Sequence, residues 1–268
     1  MARSKKNKVL AAVITIGMGG AAFFYFNSPK KEIEVRHITP PRLEVANLGE
    51  KIICYRPMRR GPPVLDVNHV GKKYIANNYG HAESGVSLAP GAAEYVIELL
   101  QDEAGSELTE QSEITIVGAG IIGLLTALEL VNKGYKNIKI IAEKFDGLSS
   151  HNAGGLISPL RLHDNCTKLQ KILNKIGPEA YRFFVKVAKG QHPIIKAGVS
   201  FVPIYFETRQ ESGLEPFVGV VMEPAKDVIL DFGNATKRQM VVYDDGIFVD
   251  SALLMQSLKT IFGWESYF

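Results

Sequence analysis

Gly118, Gly120 and Gly123 stand in the run Ile114-Thr115-Ile116-Val117-Gly118-Ala119-Gly120-Ile121-Ile122-Gly123-Leu124, a GxGxxG turn between an apolar strand and a helix. That spacing suits a dinucleotide phosphate grip. The first glycine permits a tight turn, the second lets backbone approach a pyrophosphate, and the third lets the helix pack on the strand with its N-terminal amides facing the anion. Glu143 follows the last glycine by twenty residues, at the tip of a second apolar strand, Ile138-Lys139-Ile140-Ile141-Ala142. A carboxylate there suits a ribose hydroxyl and repels a 2'-phosphate. Gly118, Gly120, Ile121, Ile122, Gly123, Glu143 and the adjacent Lys144 are therefore candidate cofactor contacts.

These residues need a strand, a helix and a parallel strand to hold them. The helix is expected from the stripe Ile122, Leu125, Leu128, Val131, ending at Asn132-Lys133-Gly134. A helix-entry loop at Gly85-Val86-Ser87-Leu88-Ala89-Pro90-Gly91, leading into a helix over Ala92–Leu100, is a second place where amides could meet an acceptor. Short strands are expected at Lys51–Tyr55 and Lys73–Ala76, and an acidic linker over Gln101–Glu113. Further on, a helix is expected from Lys168 to Lys189, with strands at Val199–Phe206 and Gln239–Tyr243. Asp250 caps a last helix, Ser251–Phe262, whose buried face would be Leu253, Leu254, Leu258 and Ile261.

The 268 residues suffice for a sizeable core, and 31 basic against 28 acidic side chains give a net charge of only +3, which offers no nucleic-acid groove. Cys54 and Cys166 form no CxxC and the six histidines no HExxH, so no metal centre is expected. At the N-terminus, Arg3, Lys5, Lys6 and Lys8 precede an uncharged run from Val9 to Phe26 that ends in aromatics. Its eighteen residues can span a hydrocarbon core, which favours a single uncleaved anchor over a cleaved signal. Ile16–Ala22 imitates a nucleotide turn, but no acid-tipped strand follows it. Four basic residues before the run against two after it favour a cytoplasmic N-terminus with the body on the far side, whereas the lack of a twin-arginine signal to export a folded, cofactor-loaded body favours a cytoplasmic one; the side of the body stays open.

In two places the chain resembles the FAD-dependent D-amino-acid oxidase family. Residues 114–159 resemble that family's opening segment: the VGAGIIGL turn, Glu143 with a basic residue and Phe145, the loop Leu148-Ser149-Ser150, and Ala153-Gly154-Gly155-Leu156 leading to Ser158-Pro159. Tyr55-Arg56-Pro57-Met58-Arg59, with Asn78-Tyr79-Gly80-His81 and Gly85-Val86-Ser87-Leu88 downstream, resembles its closing segment and is the more specific match. Together they cover about half of the chain, with a weaker likeness at Tyr243–Asp250. The order is reversed, as in a circular permutation.

The resemblance implies an α/β fold: an FAD-binding Rossmann-type (ββα three-layer) domain with a partial antiparallel substrate sheet, here preceded by one transmembrane helix. The organisation it implies is an anchor at 1–30, a connector at 31–42, the closing segment at 43–105, a linker at 106–113, and the FAD unit with the start of a substrate domain at 114–268. A family member would continue about a hundred residues beyond the helix that starts after Asp250, which raises a second chain completing the fold, or a reduced remnant.

The implied chemistry is oxidative deamination of a D-amino acid or related amine, with hydride passing to FAD and dioxygen as final acceptor. Arg56 matches the arginine that grips the substrate carboxylate, a role suited to a planar bidentate fork. Ser149 and Ser150 match hydroxyls on the cofactor phosphates, and Gly85, Val86, Ser87 and Leu88 match the loop facing the flavin's pyrimidine end, although Glu83 and Ser84 stand where glycine and an aromatic are usual. His81 is assigned a structural hydrogen bond. Tyr55 and Tyr205 could line a pocket, although aromatics on strands are more often core. Two other readings compete: a non-catalytic or vestigial flavin-binding membrane protein, and an NAD-dependent dehydrogenase, which leaves Arg56 and Gly85 unexplained.

Overall fold

The computed structural model describes residues 33–53, 55, 57–157, 167–212, 214–233 and 235–263. The expected anchor at Val9–Phe26, both cysteines and Arg56 lie outside them; among the described residues no helix is long and apolar enough to cross a membrane, and none of their His, Cys, Asp and Glu side chains cluster as metal ligands.

The architecture is mixed α/β. In chain order the strands are β1 (Glu34–His37), β2 (Val64–Val70), β3 (Lys73–Tyr79), β4 (Ile114–Val117), β5 (Ile138–Ile141), β6 (Gly154–Leu156), β7 (Val199–Phe206), β8 (Lys226–Asp231) and β9 (Lys237–Asp250). The helices are α1 (Gly85–Ala104), α2 (Ile121–Asn132), α3 (Thr167–Ala188), the single turn α4 (Arg209–Ser212) and α5 (Ser251–Ile261). β4 and β5 pair in parallel, Ile114 with Ile138 through Val117 with Ile141, with α2 as the crossover. β2 and β3 form a hairpin. β9 is the centre of a larger sheet, antiparallel to β7, β8 and β6.

The residues expected to form a plain connector carry β1, which pairs in parallel with β8, and Arg36 anchors it through a two-pronged contact with Asp244 at 2.5 and 3.1 Å. In β7 the register slips between Val202 and Ile204 because Pro203 has no N–H to offer β9. Gly246 faces the slip, where a Cβ would overlap the Ile204 side chain.

α1 is the buried spine. Leu88 and Ala92 pack with Leu173 and Ile176 of α3, Val86 and Ala89 join the main core with Ile121 and Leu124 of α2, and Ile97 meets Leu130 and Tyr135 beyond the end of α2. Gln101 also donates to the Tyr135 hydroxyl at 3.1 Å. The carboxyl-terminal halves of α1 and α2 therefore meet, and the two helices run in the same direction with both N-termini at one end.

Several elements differ from the sequence expectation. Residues 85–91 are helical rather than a loop: Gly91 is present because α1 crosses α3 so closely that a Cβ would overlap the Ile176 carbonyl, and tertiary packing overrides the low propensity of its glycines and Pro90. Residues 51–53 and 55 form no strand, having no partner; Ile52, Ile53 and Tyr55 are exposed. On α5 the buried face is Leu254, Met255 and Leu258 while Leu253 is exposed, and on α2 Val131 is exposed while Leu124 is buried. The acidic stretch expected to be a plain linker is docked, with Lys136 N–H donating to the Glu110 carbonyl at 2.9 Å.

Candidate functional site: a glycine cradle beside a second helix start

β4 ends at Val117, and Gly118 turns the chain at φ 111°, a conformation that β-carbon-bearing residues rarely adopt. Its N–H donates to the Ile141 carbonyl at 2.8 Å, tying the turn to the end of β5. A Cβ at Gly118 would meet nothing within 4 Å, so the space in front of the turn is open, whereas one at Gly123 would overlap the Gly118 carbonyl. Gly118 thus serves the turn and Gly123 the packing of helix on strand, while a Cβ at Gly120 would press on Ser150 Oγ at 3.3 Å. Val117, 82% exposed, leaves an apolar surface beside the turn.

Gly120 is the N-cap of α2, and the first amide of the helix, Ile121 N–H, donates to Ser150 Oγ at 3.0 Å. Ser150 belongs to a short 3-10 turn, Ser149–His151, in the loop after β5. A hydroxyl both accepts and donates, so Ser150 can hold this amide and still offer its own O–H. Its neighbour Ser149 donates to the Tyr55 carbonyl at 3.2 Å, which brings Tyr55 to the cradle. Glu143 and Lys144 follow β5 and are exposed. Ile121 is core while Ile122 is half-buried, so what these two offer the turn is their backbone amides.

Gly85, Val86, Ser87 and Leu88 form the first turn of α1. Val86 and Leu88 turn their side chains into the core, while Ser87 is half-buried and the first amides of the helix lack intrahelical partners. The N-cap Ser84 is fully buried, its Oγ makes no cap bond, and it has no hydrogen-bond partner. His81, 2% exposed, donates from Nε2 to Asn78 Oδ1 at 2.8 Å, while its Nδ1 and Asn78 Nδ2 are buried and unpartnered. Burial holds the imidazole neutral, its pKa lowered to about 4. Ala82, between them, sits at φ 52°. Arg59 drapes over Gly80 and bonds the Pro62 carbonyl.

Because α1 and α2 start at the same end of the molecule, a cluster of orphaned polar atoms lies at the same end as the glycine turn. A family model described as FAD dependent oxidoreductase (DAO) matches residues 113–260, more than half of the chain. The chain belongs to the FAD-dependent oxidoreductase family. No curated protein and no solved structure matches it. The match opens just before β4 and ends within α5, so it includes the glycine cradle, Glu143 and Ser150, while α1 and the segment resembling the family's closing part lie ahead of it.

FAD is the cofactor of this family, and the donors present fit it. The open glycine turn leaves room for a pyrophosphate, the exposed carboxylate at Glu143 suits a ribose hydroxyl, and the unpartnered Ser84 and His81 atoms supply polar groups near the start of α1. Tyr55 is exposed, and Tyr205 packs with Val228, Leu230 and Val242. The bond from Ile121 N–H to Ser150 is not legible in the sequence, since nothing in the spacing couples residues that far apart.

Proposed function

We propose that this FAD-dependent oxidoreductase oxidises a D-amino acid or related small amine, with dioxygen as the final acceptor. The cradle formed by Gly118, Ile121 and Ser150, opening at the same end as the polar start of α1, carries the reading. Bound FAD supplies the hydride acceptor. The amides of α2 would hold its pyrophosphate, Ser149 and Ser150 its phosphate oxygens, and Glu143 its ribose, with Lys144 alongside. The amides of Gly85–Leu88 would face the pyrimidine end, where reduction builds negative charge. Arg56 would fork onto the substrate carboxylate. Hydride transfer from a neutral amine needs no base, which agrees with a His81 kept buried and neutral.

A second reading, cofactor binding without turnover, is favoured by the segment at Ile52, Ile53 and Tyr55. It forms no strand and leaves three large apolar side chains in solvent. A second chain pairing there would complete the substrate side. The unit β4–α2–β5 is read as the opening of an FAD-binding Rossmann domain, and the run Val9–Phe26 as a membrane anchor that should resist alkaline carbonate extraction.

The deciding experiment is the visible spectrum of the detergent-purified full chain with a panel of D-amino acids under anaerobic conditions. Bleaching of a bound flavin identifies the substrate class. A yellow protein that never bleaches supports cofactor binding alone, and one that stays colourless with excess FAD overturns both.

A further inference from the structure

The loop between β5 and β6 bears Glu143, Ser149 and Ser150, and one helix holds it at both ends. Ser251, Met255 and Lys259 of α5 fall four residues apart and so lie along one line of that helix. Ser251, buried, donates to the carbonyls of Ala153 and His151, the latter at 3.4 Å. Two turns further, about 12 Å along the axis, Lys259 forms an ion pair with Asp146. The pair is lopsided: the Lys259 side chain is 10% exposed and that of Asp146 69%. Between the two fixed points His151 Nδ1 accepts the Leu148 N–H at 3.2 Å, closing the 3-10 turn that presents Ser150.

An ammonium this deeply enclosed is costly unless a counter-ion meets it, and here the counter-ion comes from the loop. Lys259 has every reason to hold the loop down, whereas Asp146, in solvent, would lose little by leaving. We propose that Lys259 and Asp146 form a latch that fixes the loop from Glu143 to Ser150 against α5, and so sets where the carboxylate and the Ile121-bound hydroxyl stand for the adenylate half of the cofactor. Both are positioning residues. This rests on the flavin reading of the cradle. A ligand gripping the loop and a latch that closes it favour the same state, so loss of one weakens the other.

The test uses the full chain with Asp146→Asn, Lys259→Met and Lys259→Arg. Two readouts are taken: amide hydrogen exchange over 144–151 without ligand, and dissociation constants for ADP and FAD. Asp146→Asn and Lys259→Met should speed exchange in that loop without touching β4 or α1, and raise both dissociation constants about five-fold or more. Lys259→Arg should stay near the parent. Unchanged exchange and affinity in Asp146→Asn overturn the latch; that variant alters an exposed side chain and decides the matter even if Lys259→Met does not fold. Should the parent chain bind neither ADP nor FAD, the flavin reading fails while loop exchange still decides the latch.

Discussion

The hydroxyl of Ser150 accepts the backbone N–H of Ile121 at 3.0 Å, so the first amide of α2 is capped by a residue 29 positions away in sequence. A helix start normally capped by its own flanking residue is here completed by a distant loop. Ser150→Ala should cost about 1 kcal/mol of stability as a lost cap. It should also weaken FAD binding about tenfold as a lost charge-assisted bond. Urea unfolding and flavin titration of the same preparation separate the two; an unchanged FAD affinity would remove Ser150 from the cofactor site.

Gly123→Ala sets helix propensity against sterics. Alanine gains up to about 1 kcal/mol in a helix interior, but its Cβ would overlap the Gly118 carbonyl, and overpacking costs about 1–3 kcal/mol. The clash should win because backbone, unlike a side-chain tip, cannot step aside. The expected result is a lower urea midpoint together with loss of FAD retention on desalting.

Ala82 holds φ 52° without being glycine. The left-handed region costs an L-residue about 1–2 kcal/mol, and glycine forfeits about 0.4–1 kcal/mol through its freer unfolded chain. Ala82→Gly should therefore stabilise by about 0.5–1 kcal/mol, read as a rise of about 2 °C in melting temperature. A fall would show that the strain is absent.

Acid sensitivity follows from His81. Its folded pKa of about 4 lies below the ordinary 6.5, so between those values the unfolded chain binds the extra proton and stability falls as pH falls. The full contribution, about 3 kcal/mol, is present above pH 6.5 and lost by pH 4, with about 2 kcal/mol gone by pH 5. His151 and His192 are shifted the same way by burial and nearby lysines, adding to the trend. His81→Asn should flatten the stability profile between pH 7 and 5; an equal slope in both proteins would refute the assignment.

What was legible in the sequence was what local geometry enforces. Gly118 and Gly123 could be read because a positive φ and a carbonyl contact tolerate no side chain there. β7 was legible at Val199–Phe206, and Asp250 as a cap, its Oδ1 accepting the Leu253 N–H at 3.1 Å. Features set by distant partners were hidden. β1 exists because β8 lies beside it and because Arg36 meets Asp244, 208 residues away. The helical state of Gly85–Gly91 depends on the contact with Ile176, so its glycines and proline were mistaken for loop signals. Lys259 left one trace: it shares a stripe with Ser251 and Met255, a place where a lysine needs a counter-ion.

The common direction of α1 and α2 has an electrostatic consequence. Each helix concentrates about half a positive charge at its amino end, and side-by-side packing holds the two axes roughly 8–10 Å apart. Two macrodipoles therefore converge on one region, with a summed charge of about one unit supplied wholly by backbone. Such a field cannot be titrated away. It would favour an anionic ligand across the working pH range, and it would do so most strongly for the one whose negative charge grows during turnover.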